Sequence, residues 1–357
     1  MRVAVDARHV GRGRGVARYL QSMLAALIAG HPEADWVAVV GPGQESLLPP
    51  GIDAATGALP PRLAHAGAAA FGRPRLDRLA GGADVVWIPA PAPVAWAAHV
   101  PAVLTIHDIS WEQRPSDFTA YERAWHAAAR PRRLARLASR TTCVSEATRA
   151  AVLAAGWPLG PNGIEVIPEA PAIVARDATP PPRGQYLLFV GALEPRKGIG
   201  TLAQALRAVR ARGLELPLVV VGEGRLSGLL SGIPGVELSG PAADAELAAL
   251  YAGATALILP SLLEGFGLPA VEAAACAVPT VASDLPALRE SLGDSFLAVP
   301  PGDPVALGDA LFEIATDGAL RRRRGTRAQE AVAPLSWEAS AERMFELLRE
   351  VAGAPAP

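Results

Sequence analysis

The sequence predicts an α/β protein made of two Rossmann-like, doubly wound domains facing each other across a cleft. Three observations carry this. Short apolar runs alternate with helical patterns from end to end, which implies parallel sheets with crossover helices. The pattern breaks at Asp177-Ala178-Thr179-Pro180-Pro181-Pro182-Arg183-Gly184, a stiff linker by composition, and then restarts. The length of 357 residues suits two domains rather than one. The predicted domains are residues 1–176 and 184–334, with a last helical segment at 335–357.

In the first domain Val3–Val5 reads as a strand, followed by a loop with Gly11, Gly13 and Gly15 and a helix from about Val16 to Ala29. Further strands are expected at Trp36–Val40, Val85–Ile88, Val103–Ile106, Thr141–Val144 and Ile164–Ile167. One long helix is expected over Tyr121 to Ala138. Ser145 reads as the N-cap of a helix ending near Ala154, with Glu146 in its first turn. In the second domain the strands are Tyr186–Val190, Leu218–Val221, Val236–Leu238, Ala256–Leu259 and Thr280–Ala282. Helices are expected at Thr201–Arg212, Ala243–Tyr251, Pro269–Cys276, Pro304–Thr316, Leu320–Ala331 and, after Pro334, Trp337–Val351. In such sheets ligands bind outside the carboxyl ends of the strands, and two facing domains make a cleft.

Several function classes are disfavoured. Net charge is −2, and the arginine clusters lack interleaved aromatics, so nucleic acid is not an expected partner. Arg321–Arg324 reads as a solvated helix face. Arg130, Arg132, Arg133, Arg136 and Arg140 read the same way, with an anionic lipid surface or a charged acceptor as the alternative. Cys143 and Cys276 sit in apolar sequence and read as two buried thiols in a reducing, cytoplasmic compartment. The N-terminus reads as a strand rather than a signal peptide. Val85–Ile106 is nearly uncharged, but its prolines prevent one spanning helix. Peripheral contact at the inner face of a membrane stays open. No His/Cys/Asp/Glu spacing marks a metal site, and no serine sits in a nucleophile elbow.

Four segments carry chemistry. Pro260-Ser261-Leu262-Leu263-Glu264-Gly265-Phe266-Gly267-Leu268-Pro269-Ala270-Val271-Glu272 follows an apolar strand and opens an Ala-rich helix. A helix start is an anion site, because its first N–H groups have no intrahelical partner. Two carboxylates beside an anion site need another task, and binding sugar hydroxyls is one. Gly191-Ala192-Leu193-Glu194-Pro195-Arg196-Lys197-Gly198 follows the domain's first strand, and its Arg-Lys pair suits phosphate. Thr105-Ile106-His107-Asp108 places a histidine at a strand end, with Asp108 either orienting the imidazole or capping the next turn. His9, His31, His65, His99 and His126 have no comparable setting and read as surface or packing. The loop Arg8–Tyr19 fits a close approach to a ligand. It lacks the dinucleotide fingerprint, since Ala17 stands where a third glycine belongs and Trp36–Val40 runs into Gly41-Pro42-Gly43.

These segments, with Gly15-Val16-Ala17-Arg18-Tyr19 and Val144-Ser145-Glu146-Ala147-Thr148, resemble nearly end to end the retaining, nucleotide-sugar-dependent glycosyltransferases of family 4, which have the GT-B fold. The resemblance implies transfer of a hexosyl group, mannosyl or rhamnosyl by leaning, to a saccharide or lipid-linked acceptor in cell-surface glycan synthesis. The donor is a nucleotide-diphosphate sugar, with no metal and no further cofactor. Glu264 would contact the transferred sugar and Glu272 the ribose hydroxyls. The amides of Gly265, Phe266, Gly267 and Leu268 would meet the diphosphate, with Gly191 part of the donor-binding loop. Arg196 and Lys197 would neutralise the leaving group, and His107 would touch the donor sugar or its leaving end. Gly15 would bring its loop to the phosphates or acceptor, and the final helix would cross back onto the first domain. Departures are Ala192 where many relatives carry arginine, Ala17 for a second glycine, and Glu169-Ala170 for Asn-Gly or His-Gly. The alternatives are a nucleotide-sugar-binding protein without turnover and a GT-B nucleotide-sugar epimerase. A dinucleotide-dependent oxidoreductase is weaker still. The sequence leaves oligomeric state blank.

Overall fold

The computed structural model describes residues 1–12, 15–174, 179 and 185–353. Most of the Pro-rich linker, Asp177, Ala178 and residues 180–184, lies outside them, as does Gly13 of the glycine loop. The chain divides into two compact units, one of Met1–Glu169 with Ser336–Pro357 and one of Ala170–Leu335.

The first unit holds β1 (Arg2–Asp6), β2 (Asp35–Val40), β3 (Asp53–Thr56), β4 (Val85–Ile88), β5 (Ala102–Ile106), β6 (Arg140–Cys143) and β7 (Ile164–Val166). They form one sheet in the order β3-β2-β1-β4-β5-β6-β7, parallel at every pairing. Strands β4 and β5 are buried at every position, which is why they read as continuous apolar runs rather than alternating ones. Order reverses between β1 and β4, so the loops leaving those two strands flank the place where doubly wound sheets take ligands.

Helix Gly15–Gly30 packs against the final helix, Trp337–Gly353, which also packs on β4 and β5. Trp337 meets Tyr19 edge-on at 5.8 Å. Ser340 Oγ donates to Pro168 O at 2.8 Å, and the Arg343 guanidinium pairs with Glu165. The helix expected over Tyr121–Ala138 is two helices, Ala120–Ala129 and Pro131–Leu137. Pro131 removes a backbone donor, and Arg130 turns the corner at φ 50°. Ser145 caps helix Glu146–Ala154 as expected, accepting from Thr148 N–H at 3.0 Å.

The second unit holds β8 (Leu187–Val190), β9 (Leu218–Val221), β10 (Val236–Gly240), β11 (Ala256–Leu259), β12 (Thr280–Ser283) and β13 (Leu297–Val299). Their order is β10-β9-β8-β11-β12-β13, again all parallel, with the reversal between β8 and β11. Its core joins Leu187, Phe189, Val220 and Ile258 of the strands to Leu202, Leu206 and Val209 of helix Ile199–Ala211 and to Leu307 and Leu311 of helix Pro304–Thr316. The short pieces β3, β13, helix Pro61–Phe71 and helix Pro286–Leu292 have no counterpart in the sequence reading.

The arginine runs are only in part solvated faces. Arg322 and Arg323 are exposed, whereas Arg321 donates to the carbonyls of Ile314 and Ala315 and Arg324 to that of Asp294. Arg132 forks onto Glu112 at 3.0 and 2.7 Å, and Arg140 lies 3.6 Å from Glu165 and 3.5 Å from Glu350. Cys143 is buried, and burial pushes its thiol up to about 12, but Cys276 is only half-buried, and neither forms a disulfide. Among the described residues no helix is long and apolar enough to cross a membrane.

Candidate active site

The second unit brings together most of the predicted donor-site residues, and its topology explains how. The loop after β8 carries Gly191–Gly198 and the loop after β11 carries Pro260–Gly267, so the two motifs flank the strand-order reversal. The loops touch directly. Leu262 N–H donates to Arg196 O at 2.8 Å. Gly198 sits at φ 69°, and a Cβ there would lie 1.8 Å from Pro260 O. Only glycine permits that approach.

At this junction Lys197 Nζ donates to Glu264 Oε1 at 2.6 Å, and Ser261 Oγ donates to the same oxygen at 2.6 Å. The Lys197 and Glu264 side chains are 12% and 7% exposed. Arg196 Nε donates to Glu194 Oε2 at 3.3 Å. Gly191 leaves β8 with its N–H on Val221 O at 2.9 Å, and Leu193 N–H reaches Glu223 O at 2.9 Å, which ties the Arg-Lys loop to the turn after β9.

Helix Leu268–Ala275 begins at Gly267, which takes φ 92° and whose Cβ would lie 2.4 Å from Leu288 Cδ2. Its first bonds run from Ala270 and Val271 N–H to Gly267 O at 2.9 and 3.2 Å, so the amides before them precede the helical ladder. The Phe266 and Leu268 side chains turn into the core, 5% and 8% exposed, leaving their backbone as the part that can serve a ligand. Glu272 is 2% exposed, and Tyr251 Oη donates to its Oε2 at 2.9 Å. Tyr251 and Ser261 were given no role by the sequence. Tyr251 lies 21 residues from its partner on another helix, so spacing gives no signal. Ser261 was visible only as a member of the motif.

In the first unit His107 follows β5 and is partly buried, its side chain 15% exposed. Its Nε2 lies 2.9 Å from Pro89 O, in the loop after β4, and its Nδ1 lies 3.0 Å from Glu169 Oε1. The Tyr19 ring meets it edge-on at 4.6 Å. Burial opposes charge on the imidazole, but the Glu169 hydrogen bond and charge, the Pro89 carbonyl and Asp108 together raise its pKa. Asp108 does not orient the ring. Its Oδ1 accepts from Ser110 N–H at 2.8 Å and Ser110 Oγ at 2.6 Å, so it caps the next turn. The orienting carboxylate is Glu169, which in the sequence is only a departure from the family pattern.

Gly15 is exposed at the start of its helix with open space where a Cβ would stand, so its backbone does not require glycine. Of the other histidines, His9 and His65 are buried with ring centroids 6.0 Å apart, His31 stacks on Phe345 at 3.6 Å, and His126 stacks on Trp111 at 4.5 Å. Among the described residues no three His, Cys, Asp or Glu are grouped to hold a metal.

Residues 13–170 match the family described as Glycosyltransferase Family 4, and residues 184–317 match Glycosyl transferases group 1. The chain belongs to the family 4, group 1 glycosyltransferases. It is 35% identical over 202 residues to a phosphatidyl-myo-inositol mannosyltransferase of Mycobacterium leprae (strain TN), covering 54% of this chain and 53% of that protein. It is 31% identical over 168 residues to O-antigen chain mannosyltransferase B of Escherichia coli, covering 43% of this chain and 42% of that one. The chain thus spans about half the length of the curated relatives it matches. Its fold is that of sucrose-phosphate synthase from Thermosynechococcus elongatus, at TM-score 0.76 and 20% identity over 98% of both chains. An Anabaena protein solved in complex with UDP and glucose superimposes at TM-score 0.70, with 19% identity over 98% of this chain and 99% of that one. The family and the two Rossmann-like units agree on the GT-B class.

Proposed function

We propose that this protein is a retaining glycosyltransferase that moves a hexosyl group from a nucleotide-diphosphate sugar to a saccharide or lipid-linked acceptor. The observation that carries the proposal is the Lys197–Glu264–Ser261 cluster at the strand-order reversal of the second unit. Glu264 takes both bonds on Oε1, which leaves Oε2 for a sugar hydroxyl. The ammonium of Lys197, with Arg196 beside it, would meet the diphosphate as negative charge grows on the leaving group. That stabilisation matters most when the leaving group is a nucleoside diphosphate. The amides from Gly265 to Leu268 would hold the diphosphate, and Glu272, fixed by Tyr251, would accept from the ribose. In this reading the donor is a substrate, and the protein's own cations supply the charge, with no resident cofactor or metal.

Mannosyl transfer is the favoured chemistry, because two similar proteins carry that activity in their names. The same names favour a lipid-linked or polymeric surface acceptor. A groove of about 510 Å³ on the first unit is lined by Trp111, Glu112, Arg123, Arg130, Arg132 and Arg133; Arg132 is held by Glu112, and the other arginines suit an anionic acceptor or lipid surface. We place the activity in the cytoplasm, with peripheral contact at the inner face of the membrane.

Incubation with GDP-, UDP-, ADP- and TDP-sugars, alone and with acceptor pools, tests the proposal through nucleoside diphosphate release. Release that needs acceptor, Lys197 and Glu264 supports transfer. Binding with no release under any acceptor would leave a binding protein, and sugar inversion without release an epimerase. The anomeric configuration of the product tests retention.

A further inference from the structure

We propose that Glu169 is a positioning residue that locks His107 as a doubly protonated imidazolium, with both ring N–H groups committed to the protein. The geometry starts at Nε2. Its partner, Pro89 O at 2.9 Å, is a carbonyl that can only accept, so Nε2 carries a proton. At Nδ1 the partner is the Glu169 carboxylate at 3.0 Å. Glu169 is 4% exposed, and a carboxylate so deeply buried is costly unless a cation faces it. The imidazole of His107 is placed to be that cation.

The other groups around the ring favour the same state. Asp108, held as an acceptor by Ser110, adds negative charge from the residue next in sequence. Tyr19, from helix Gly15–Gly30, offers a ring rather than a charge. Thr148 Oγ1 donates to His107 O at 3.0 Å and fixes the backbone beneath the ring. Three strands are joined by this arrangement: His107 leaves β5, Pro89 leaves β4 and Glu169 lies just past β7.

The consequence is chemical. A ring whose two nitrogens are both protonated and both bonded cannot take a proton from an acceptor hydroxyl. His107 acts toward a ligand through its charge and its C–H edge, and Glu169 sets that charge. This catalytic consequence rests on the transferase reading, whereas the protonation state does not.

The test is imidazole ¹⁵N NMR of the full chain across about pH 5 to about pH 9, with His107 assigned by loss of its signals in His107→Gln. Wild-type His107 is expected to stay doubly protonated through the ordinary histidine range. Glu169→Gln is expected to lower its midpoint by at least one pH unit, about tenfold in proton affinity. A singly protonated His107 at neutral pH in the wild type, or an unchanged midpoint in Glu169→Gln, overturns the proposal. If Glu169→Gln does not fold, the wild-type titration decides alone. Rate profiles carry the second arm. Nucleoside diphosphate release by Glu169→Gln should fall as pH rises through the new midpoint while the wild type stays level, and identical profiles refute the catalytic consequence. Failure of both proteins to release nucleotide counts against the transferase reading and leaves the NMR result standing.

Discussion

Lys197→Met separates the two tasks that the proposed function gives the Lys197–Glu264 pair. The substitution keeps the apolar stem and removes the ammonium 2.6 Å from Glu264 Oε1. Glu264, 7% exposed at its side chain, then keeps only the Ser261 hydroxyl. Breaking a buried pair on one side costs about 3–5 kcal/mol. The surviving hydrogen bond from Ser261 to a charged group offsets about 1.5–3 kcal/mol of desolvation, so a net loss near 2 kcal/mol is expected. Loss of a charge-assisted contact to the leaving group should cost a further ~2–4 kcal/mol in the transition state, or about 30- to 1,000-fold in kcat/KM. Denaturant unfolding measures the first quantity and nucleoside diphosphate release the second. The double variant Lys197→Met/Glu264→Gln tells them apart, since it carries no unpaired carboxylate. It should recover most of the stability and none of the rate. Recovery of rate would refute the charge argument, and a Lys197→Met protein of wild-type activity would remove the donor-site assignment altogether.

Tyr251→Phe deletes the Oη donor to Glu272 and should raise the donor KM by roughly tenfold, the scale of one hydrogen bond to a charged group, with kcat within about twofold; a pure kcat effect would contradict a ribose role for Glu272. Gly198→Ala places a Cβ 1.8 Å from Pro260 O at φ 69°, so it should destabilise the second unit by at least about 3 kcal/mol in chemical denaturation. Gly15→Ala meets no atom within 4 Å and should leave stability unchanged or slightly raised, so any fall in transfer rate would report contact between this loop and a ligand. The folded-state pKa of His107 is raised, so the pair with Glu169 stabilises the first unit fully below the ordinary histidine pKa. That contribution is lost as pH rises through the folded value, and thermal unfolding followed upward from about pH 6.5 should show it in the wild type and not in Glu169→Gln.

The central strands were legible because parallel strands buried on both faces must be continuous apolar runs. Val85–Ile88, Leu218–Val221 and Ala256–Leu259 have the limits their sequences suggest. The edge strand β3, Asp-Ala-Ala-Thr, has no buried residue and therefore no such signal. The error over Tyr121–Ala138 has a different cause. Helical periodicity survives the break, since Ala129 and Leu134 both face the core, while Pro131 alone marks the corner. Periodicity reports which face is buried, not whether the backbone is continuous.

The two halves of the candidate site differ in legibility for a related reason. The proposed diphosphate site draws on the ends of single strands and on helix starts, so its residues fall in short contiguous motifs after β8 and β11. Lys197 and Glu264 are 67 residues apart, yet each sits in a motif that announces itself alone. The first unit builds its polar site from isolated side chains on separate strands. His107 and Glu169 are 62 residues apart, and neither has a local pattern that calls for the other. Asp108, adjacent to His107, was the natural partner by sequence, but its carboxylate is drawn to the amide and hydroxyl of Ser110 two residues on, a local bond that competes with any longer reach. The imidazole is therefore left to a carboxylate delivered by the fold. A glutamate at position 169, read as a mere departure in sequence, becomes the residue that decides the charge of the first unit's candidate catalytic side chain.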